Sequence, residues 1–271
     1  MINKERSKVN IKNHKQAIFL RLQPLLICIQ FLSSLPVGRL PMPKDEDIGA
    51  SLNYYPLVGG LLGVILSALA FGLMQVFGSF LSAALLLTAL VLITGALHID
   101  GLGDCADAWM GGLGSKKRTL ELMKDPTSGP IAIAVLVLLL LLKFAALEAL
   151  LSESLAMKSY YLILIWPLML SRMSAMILFA TTPYARKSGL GKAISEHLSI
   201  NAVWGVCCVV LVIACLVFKW QVIGVLLVGT FVFMFLRRLM LRRIDGCTGD
   251  TAGALIEISE VAILLACVAS F

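Results

Sequence analysis

Residues 96–112 read ALHIDGLGDCADAWMGG and follow directly on the apolar run AALLLTALVLITG. Asp100, Asp104 and Asp107 therefore stand together at the end of a hydrocarbon-soluble stretch. Their spacing of four and three residues places them within about 60° of one another on a helix. A charge in or near lipid costs ~2.5–3.5 kcal/mol per Asp on insertion scales, and three like charges on one face repel unless a cation lies between them. An oxygen-only ligand set favours Mg²⁺ or Mn²⁺, the ions that hold substrate phosphates.

A second segment, IDGCTGDTAGALIEISE at residues 244–260, repeats the pattern. Asp250 and Glu257 share a helix face, Gly246 and Gly253 line its flank, and Glu260 lies at the edge. Only eleven residues follow Glu260, so Glu257 and Glu260 are expected inside a final span, pointing into the bundle. Asp100, Asp104, Asp107, Asp250 and Glu257 form the expected metal set. Arg118, Lys124 and Arg172 are available as cationic partners, and metal-bridged phosphate oxygens flanked by Lys or Arg make an electrostatic clamp for phosphoryl transfer.

The elements that must position these groups are membrane helices. The chain of 271 residues is 59% hydrophobic and only 14% charged, against ~25% charged for soluble domains. Apolar stretches fall at roughly 54–77, 79–97, 130–151, 159–180, 201–218, 221–236 and 254–271, most near the ~20 residues needed to cross a bilayer. Alternating strand patterns are absent, which excludes a β-barrel. The expected fold is an all-α polytopic membrane protein, a single integral membrane domain over 1–271. It has about seven transmembrane helices plus an N-terminal interfacial or re-entrant element at 17–35. An acidic motif loop at 98–129, a loop at 181–200 and the second acidic motif at 245–260 are all expected on the cytoplasmic face.

Orientation follows from the basic residues. Lys4, Arg6, Lys8, Lys12, Lys15 and Arg21 place the N-terminal segment in the cytoplasm. If 17–35 does not cross, Lys116, Lys117, Arg118, Lys124, Arg186, Lys187, Lys192 and the Arg237, Arg238, Arg242, Arg243 cluster are all cytoplasmic as well. The net charge of +7 is then an orientation signal, and no nucleic-acid partner is expected. Seven cysteines without a CxxC or Cys/His cluster argue against zinc and against a disulfide framework. The polar N-terminus lacks a signal-peptide core.

Several residues have plainer readings. Arg172 reads either as a phosphate partner or as a snorkelling side chain. Lys143, in LLLLLKFAALEAL, reads as snorkelling toward the outer surface or as a buried partner. His98 reads as a helix-end hydrogen bonder or as a ligand, Asp45, Glu46 and Asp47 as a solvated loop, and Asp245 as a turn residue.

With these residues in view, the chain resembles the cobalamin synthase (adenosylcobinamide-GDP ribazoletransferase) family over nearly its whole length. The matching pieces are FLSSLPVGRLP, YYPLVGGLLG, ALHIDGLGDCAD, KRTLELMKDPTSG, SRMSAM, PYARKSGLG and GCTGDTAGALIEISE. The pair HIDGLGDCAD and TGDTAGALIE is specific together, where either alone is weak. The chain departs from the family pattern in KDPTSG, in Ala108 after the third aspartate, and in Asp245, where the family's GGxTGD has glycine.

The resemblance implies a Mg²⁺-dependent transferase of late cobalamin biosynthesis in the cell inner membrane, with its site on the cytoplasmic face. The 3′-hydroxyl of α-ribazole, or of its 5′-phosphate, joins the cobinamide-side phosphate of adenosylcobinamide-GDP, and GMP leaves. Asp107 is the expected general base with Asp104 beside it. Substrate contacts are expected from Arg118, Lys124, Asp125, Arg172, Arg186, Gly249 and Glu260. The lipid bilayer is a partner, and a homo-oligomer is left open.

Competing readings are separable on sequence features. A CDP-alcohol phosphotransferase requires DGxxAR before its later aspartates, and DGLGDCAD lacks the AR. An intramembrane prenyltransferase has an Asn ahead of its DxxxD motif, absent here. A cation or proton transporter, argued from Glu257 and Glu260, places its site at the midplane among broken helices, whereas these carboxylates gather at one face.

Overall fold

The computed structural model describes residues 22–38, 40–153 and 158–270. The described residues are helical apart from short connections, with no strand among them beyond one isolated bridge. The basic N-terminal cluster, and residues 17–21 of the expected interfacial element, lie outside the described residues. The remainder of that element forms α1 (Leu22–Leu32), whose described length is too short to cross a bilayer. Its end is tied to the bundle by Ser34, whose hydroxyl donates to the carbonyls of Leu92 (2.7 Å) and Ile93 (3.0 Å).

Asp45, Glu46 and Asp47 are not a loop: they form the first turn of α2 (Asp45–Ser51), where negative charge complements the helix dipole. A single 3₁₀ turn carries α2 into α3 (Tyr55–Leu73). There follow α4 (Ser79–Thr94), α5 (Leu97–Gly111), α6 (Lys116–Leu122), α7 (Pro130–Glu153), α8 (Ile165–Thr181), α9 (Leu190–His197), α10 (Ile200–Phe218), α11 (Val222–Ile244) and α12 (Gly249–Ser270). Six helical segments are long and apolar enough to cross a membrane, and a seventh counts if α4 and α5 make one bent span. The protein is a multi-pass membrane protein, as its composition predicts.

Burial sorts the helices. α8 and α12 are buried over most of their length, whereas α10 and α11 present Leu216, Leu227 and Phe231 outward, as lipid-facing helices do. The central position of α12 matters, because it carries the second acidic motif into the middle of the bundle.

The acidic stretch at 98–129 is mainly helix, not loop, because α5 and α6 occupy most of it. The turn that creates α5 is local: Gly95 (φ 63°) and Ala96 (φ 56°) are both left-handed. Two successive left-handed residues end α4 and restart the chain at 87° to it. Glycine adopts that conformation freely, and alanine adopts it at a cost of ~1–2 kcal/mol. α4 is thus read as the span and α5 as a polar helix laid across its end. The 181–200 connection likewise contains α9.

Candidate active site

α5 crosses the start of α12 at a contact that side chains would forbid. A Cβ on Gly101 would lie 2.9 Å from the Asp250 carbonyl oxygen, and one on Gly253 would lie 3.2 Å from the His98 Cα. Two glycines, one on each helix, let the backbones meet and bring the two acidic motifs together. α12 begins where it does because Thr248 and Thr251 cap reciprocally. The Thr248 amide donates to Thr251 Oγ1 (2.8 Å) and the Thr251 amide to Thr248 Oγ1 (3.2 Å). Gly249 opens the helix, is exposed, and has open space beside it.

At this crossing Asp100 is exposed while Asp104 and Asp250 are half-buried. Arg186 donates from Nη2 to Asp250 Oδ2 at 2.6 Å. A backbone bridge delivers that arginine: the Ala185 amide donates to the Cys247 carbonyl and the Cys247 amide to the Pro183 carbonyl, each at 2.8 Å. Burial, followed by the neighbouring charges of Asp100 and Asp250, pushes the Asp104 carboxyl up to about 6, with Arg186 opposing. Crowded carboxylates that raise one another's pKa are the electrostatic mark of a site suited to a cation.

That cation would not find a closed cage. Among the described residues no three His, Cys, Asp or Glu side chains are arranged to hold one ion. The residues fit Mg²⁺ in its usual manner, with one or two carboxylates, retained waters and substrate phosphate oxygens.

Other predicted site residues are placed differently. Asp107 accepts hydrogen bonds from the Gly129 amide and, at 3.0 Å, the Ala132 amide. Both its oxygens thereby cap the start of α7, satisfying amide donors that have no intrahelical partner. That engagement removes the reason for choosing it as the base.

Glu257, expected as a metal ligand, and Glu260 and Arg172, expected at the substrate, are instead buried together inside the bundle. Lys143 donates to Glu257 Oε2 at 2.6 Å and to Glu260 Oε1 at 2.7 Å, and Arg172 pairs with Glu260. All four side chains are at most 3% exposed. Two positive and two negative charges neutralise one another there, so Lys143 and Arg172 do not snorkel. The expected metal-ligand role of Glu257 gives way to this pairing.

Arg118 is exposed and stands 3.9 Å from Glu121 on its own helix. Lys124 is exposed, and Asp125 closes a turn by accepting from the Thr127 amide (3.0 Å) and hydroxyl (2.6 Å). Those bonds hold the Asp125 carboxyl below its ordinary pKa. Asp245 is a turn residue: it ends α11 in the left-handed conformation and accepts an ion pair from Lys116 at 2.8 Å.

Sequence reasoning missed two contributors and misread a third. Arg243 donates to the Trp109 carbonyl (2.5 Å) and to Thr119 (3.1 Å), fastening α5 and α6 to the end of α11. Arg237 holds Thr181 and Thr182 at the end of α8. Both arginines had been counted only as orientation charges. The third is His98, which is 4% exposed and has neither ring nitrogen hydrogen-bonded among the described residues, contrary to its expected role. Burial, then Arg172, pulls its pKa down to about 3.

A family model described as cobalamin-5-phosphate synthase matches residues 24–268. The chain is 50% identical over 243 residues to the adenosylcobinamide-GDP ribazoletransferase of Pseudomonas fluorescens (strain Pf0-1), covering 89% of this chain and 97% of that protein. It is 51% identical to the protein of the same name from Pseudomonas putida (strain GB-1), with the same coverage. Against that from Pseudomonas aeruginosa it is 50% identical over 245 residues, covering 90% and 97%. No solved structure matches.

Proposed function

The chain belongs to the cobalamin-5-phosphate synthase family, and we propose that it transfers α-ribazole, or its 5′-phosphate, onto adenosylcobinamide-GDP with release of GMP. The observation that carries this reading is the α5–α12 crossing, where Asp100 and Asp104 meet Asp250 and its partner Arg186. Phosphoryl transfer needs charge stabilisation around a pyrophosphate and a group to take one proton, and the crossing holds both kinds of residue.

The ribazole 3′-oxygen bonds to the cobinamide-side phosphorus while the bond from that phosphorus to the GMP oxygen breaks. The hydroxyl proton passes to Asp104. Its carboxylate is not capped as Asp107 is, and in the metal-free protein burial and the charges of Asp100 and Asp250 raise its proton affinity, to a pKa of about 6. Arg186, half-buried and held by a backbone bridge, can turn from Asp250 to a phosphate oxygen and bind it bidentately. Gly249, exposed and with open space beside it, leaves room for a phosphate to approach the start of α12. Asp100 and Asp250 are the residues that would hold Mg²⁺, which when bound supplies charge neutralisation to the diphosphate.

The site end is assigned to the cytoplasm. Lys116, Arg186, Arg237 and Arg243 all make their contacts at this end of the bundle, as the positive-inside rule requires. Nucleotide-activated substrates are found on the same side. Release of radiolabelled GMP from adenosylcobinamide-GDP, dependent on added α-ribazole and on Mg²⁺, tests the reading with purified protein. Cysteines placed at Ser115 and Gly189 should react only with reagents applied from the cytoplasmic side. No ribazole-dependent GMP release would overturn the activity, and external labelling at Ser115 would overturn the orientation.

A further inference from the structure

Beside the carboxylates lies a cavity of about 150 Å³ whose aromatic lining the transfer chemistry above does not use. Asp100 and Asp250 line it together with Phe31, Tyr55, Phe179 and His98. Exposure grades along it. Asp100 is exposed and Asp250 half-buried, whereas Tyr55 is 2% exposed and His98 4%. The cavity thus runs from a charged open end to an aromatic inner end. His98 lines the cavity too, and neither of its ring nitrogens has a hydrogen-bond partner among the described residues. A buried imidazole left unpaired in a folded protein calls for an explanation.

We infer that this cavity is the acceptor-base subsite. It takes the bicyclic, largely apolar aromatic base of a riboside, stacked among Phe31, Tyr55 and Phe179 and accepting a hydrogen bond from His98. The assignment rests on the transfer reaction proposed above and specifies where its acceptor sits.

Size, polarity and geometry support it. The volume is well under the ~300–1,000 Å³ of pockets that enclose drug-sized ligands, so it holds one ring system and not a corrinoid. Its lining is mostly apolar with one unpaired side chain that can donate. A benzimidazole riboside presents one free ring nitrogen as acceptor and an otherwise apolar surface, which matches. A guanine would bring amide, amino and carbonyl groups into apolar surroundings, and each group left unpaired there costs affinity. A base seated at the inner end leaves its ribose at the open end, where the 3′-hydroxyl meets the carboxylates.

The test uses full-length protein in lipid nanodiscs, with α-ribazole and adenosylcobinamide-GDP varied independently. In Phe179→Ala and His98→Ala, KM for α-ribazole should rise by about tenfold or more, while KM for adenosylcobinamide-GDP stays within about twofold. Phe179→Ala also enlarges the cavity, so its kcat/KM for a naphthimidazole riboside relative to α-ribazole should rise above that of the parent protein. A general folding defect would not produce that gain. Phe31→Leu, a milder change, should move KM for α-ribazole in the same direction. Equilibrium binding of α-ribazole alone, without the corrinoid, should weaken in parallel. If these variants raise KM only for adenosylcobinamide-GDP, or leave base preference unchanged, the subsite is wrong although the transfer reaction stands. If the unsubstituted protein releases no GMP yet binds α-ribazole through these residues, the reaction is wrong and the subsite stands.

Discussion

Asp250 and Glu260 stand on one helix ten residues apart, and each faces an arginine, yet the two pairs do opposite work. Asp250 and Arg186 sit where water reaches them, with side chains 23% and 20% exposed. Glu260 is shared between Lys143 and Arg172, Lys143 also holds Glu257, and the whole group is closed off. A partly solvated ion pair has a modest net strength, ~0–1 kcal/mol, so substrate and cation can exchange into it. Breaking a buried pair by removing one partner costs ~3–5 kcal/mol, which makes it a fixture. Depth decides whether a carboxylate on α12 is chemically available, and residue type does not.

Asp104→Asn should produce the largest effect. It removes the proposed proton acceptor at the water-facing cluster, and transfer should fall by about 10²–10⁴-fold, with the melting temperature of the purified protein unchanged or raised. Retention of most of kcat at saturating Mg²⁺ would move the base elsewhere.

Lys143→Met attacks the other half of the comparison. It leaves Glu257 and Glu260 with Arg172 alone, and should lower stability by about 3–5 kcal/mol, read as lost thermal stability and reduced yield of folded protein. Adding Glu257→Gln should restore part of the loss, because the remaining charges then balance. If Lys143→Met silenced transfer without any loss of stability, the buried group would belong to the site after all.

The effect of pH sharpens the contrast further. The folded-state pKa of Asp104 is raised from 3.8 to about 6. In the metal-free protein the folded state therefore holds this proton more tightly than the unfolded chain does. The associated stability is fully present below about 3.8 and is lost as pH rises through about 6. Mg²⁺ bound as proposed would relieve the crowding of carboxylates and release the proton, so its stabilising effect should grow over the same window. Melting temperatures between pH 5 and 7, in chelator and in Mg²⁺, provide the check. A Mg²⁺ effect independent of pH would contradict the coupling.

Asp107→Ala is the smallest perturbation. Loss of a helix cap costs ~0.5–2 kcal/mol, so stability should drop by about that much while kcat falls far less than in Asp104→Asn. A collapse in kcat equal to that of Asp104→Asn would return Asp107 to the reacting atoms.

What the sequence determined by itself is whatever short-range rules govern. Runs of apolar residues long enough to cross a bilayer specify the helices, and the spacing of Asp100 and Asp104 puts both on one face, because helical periodicity is local. The left-handed Asp245 was legible as a turn for the same reason. Tertiary structure decided which charges meet. Arg186 finds Asp250 across 64 residues, and Lys143 finds Glu257 across 114, through helix neighbours that periodicity does not name. Asp107 shares a helix face with its fellow carboxylates but lies against the start of α7, so packing assigns it to a cap. Glu257 and Glu260 looked like site residues because a charge in hydrocarbon needs a reason. The reason turned out to be two cations on other helices, and only the packing of α7, α8 and α12 around a common interior could supply it.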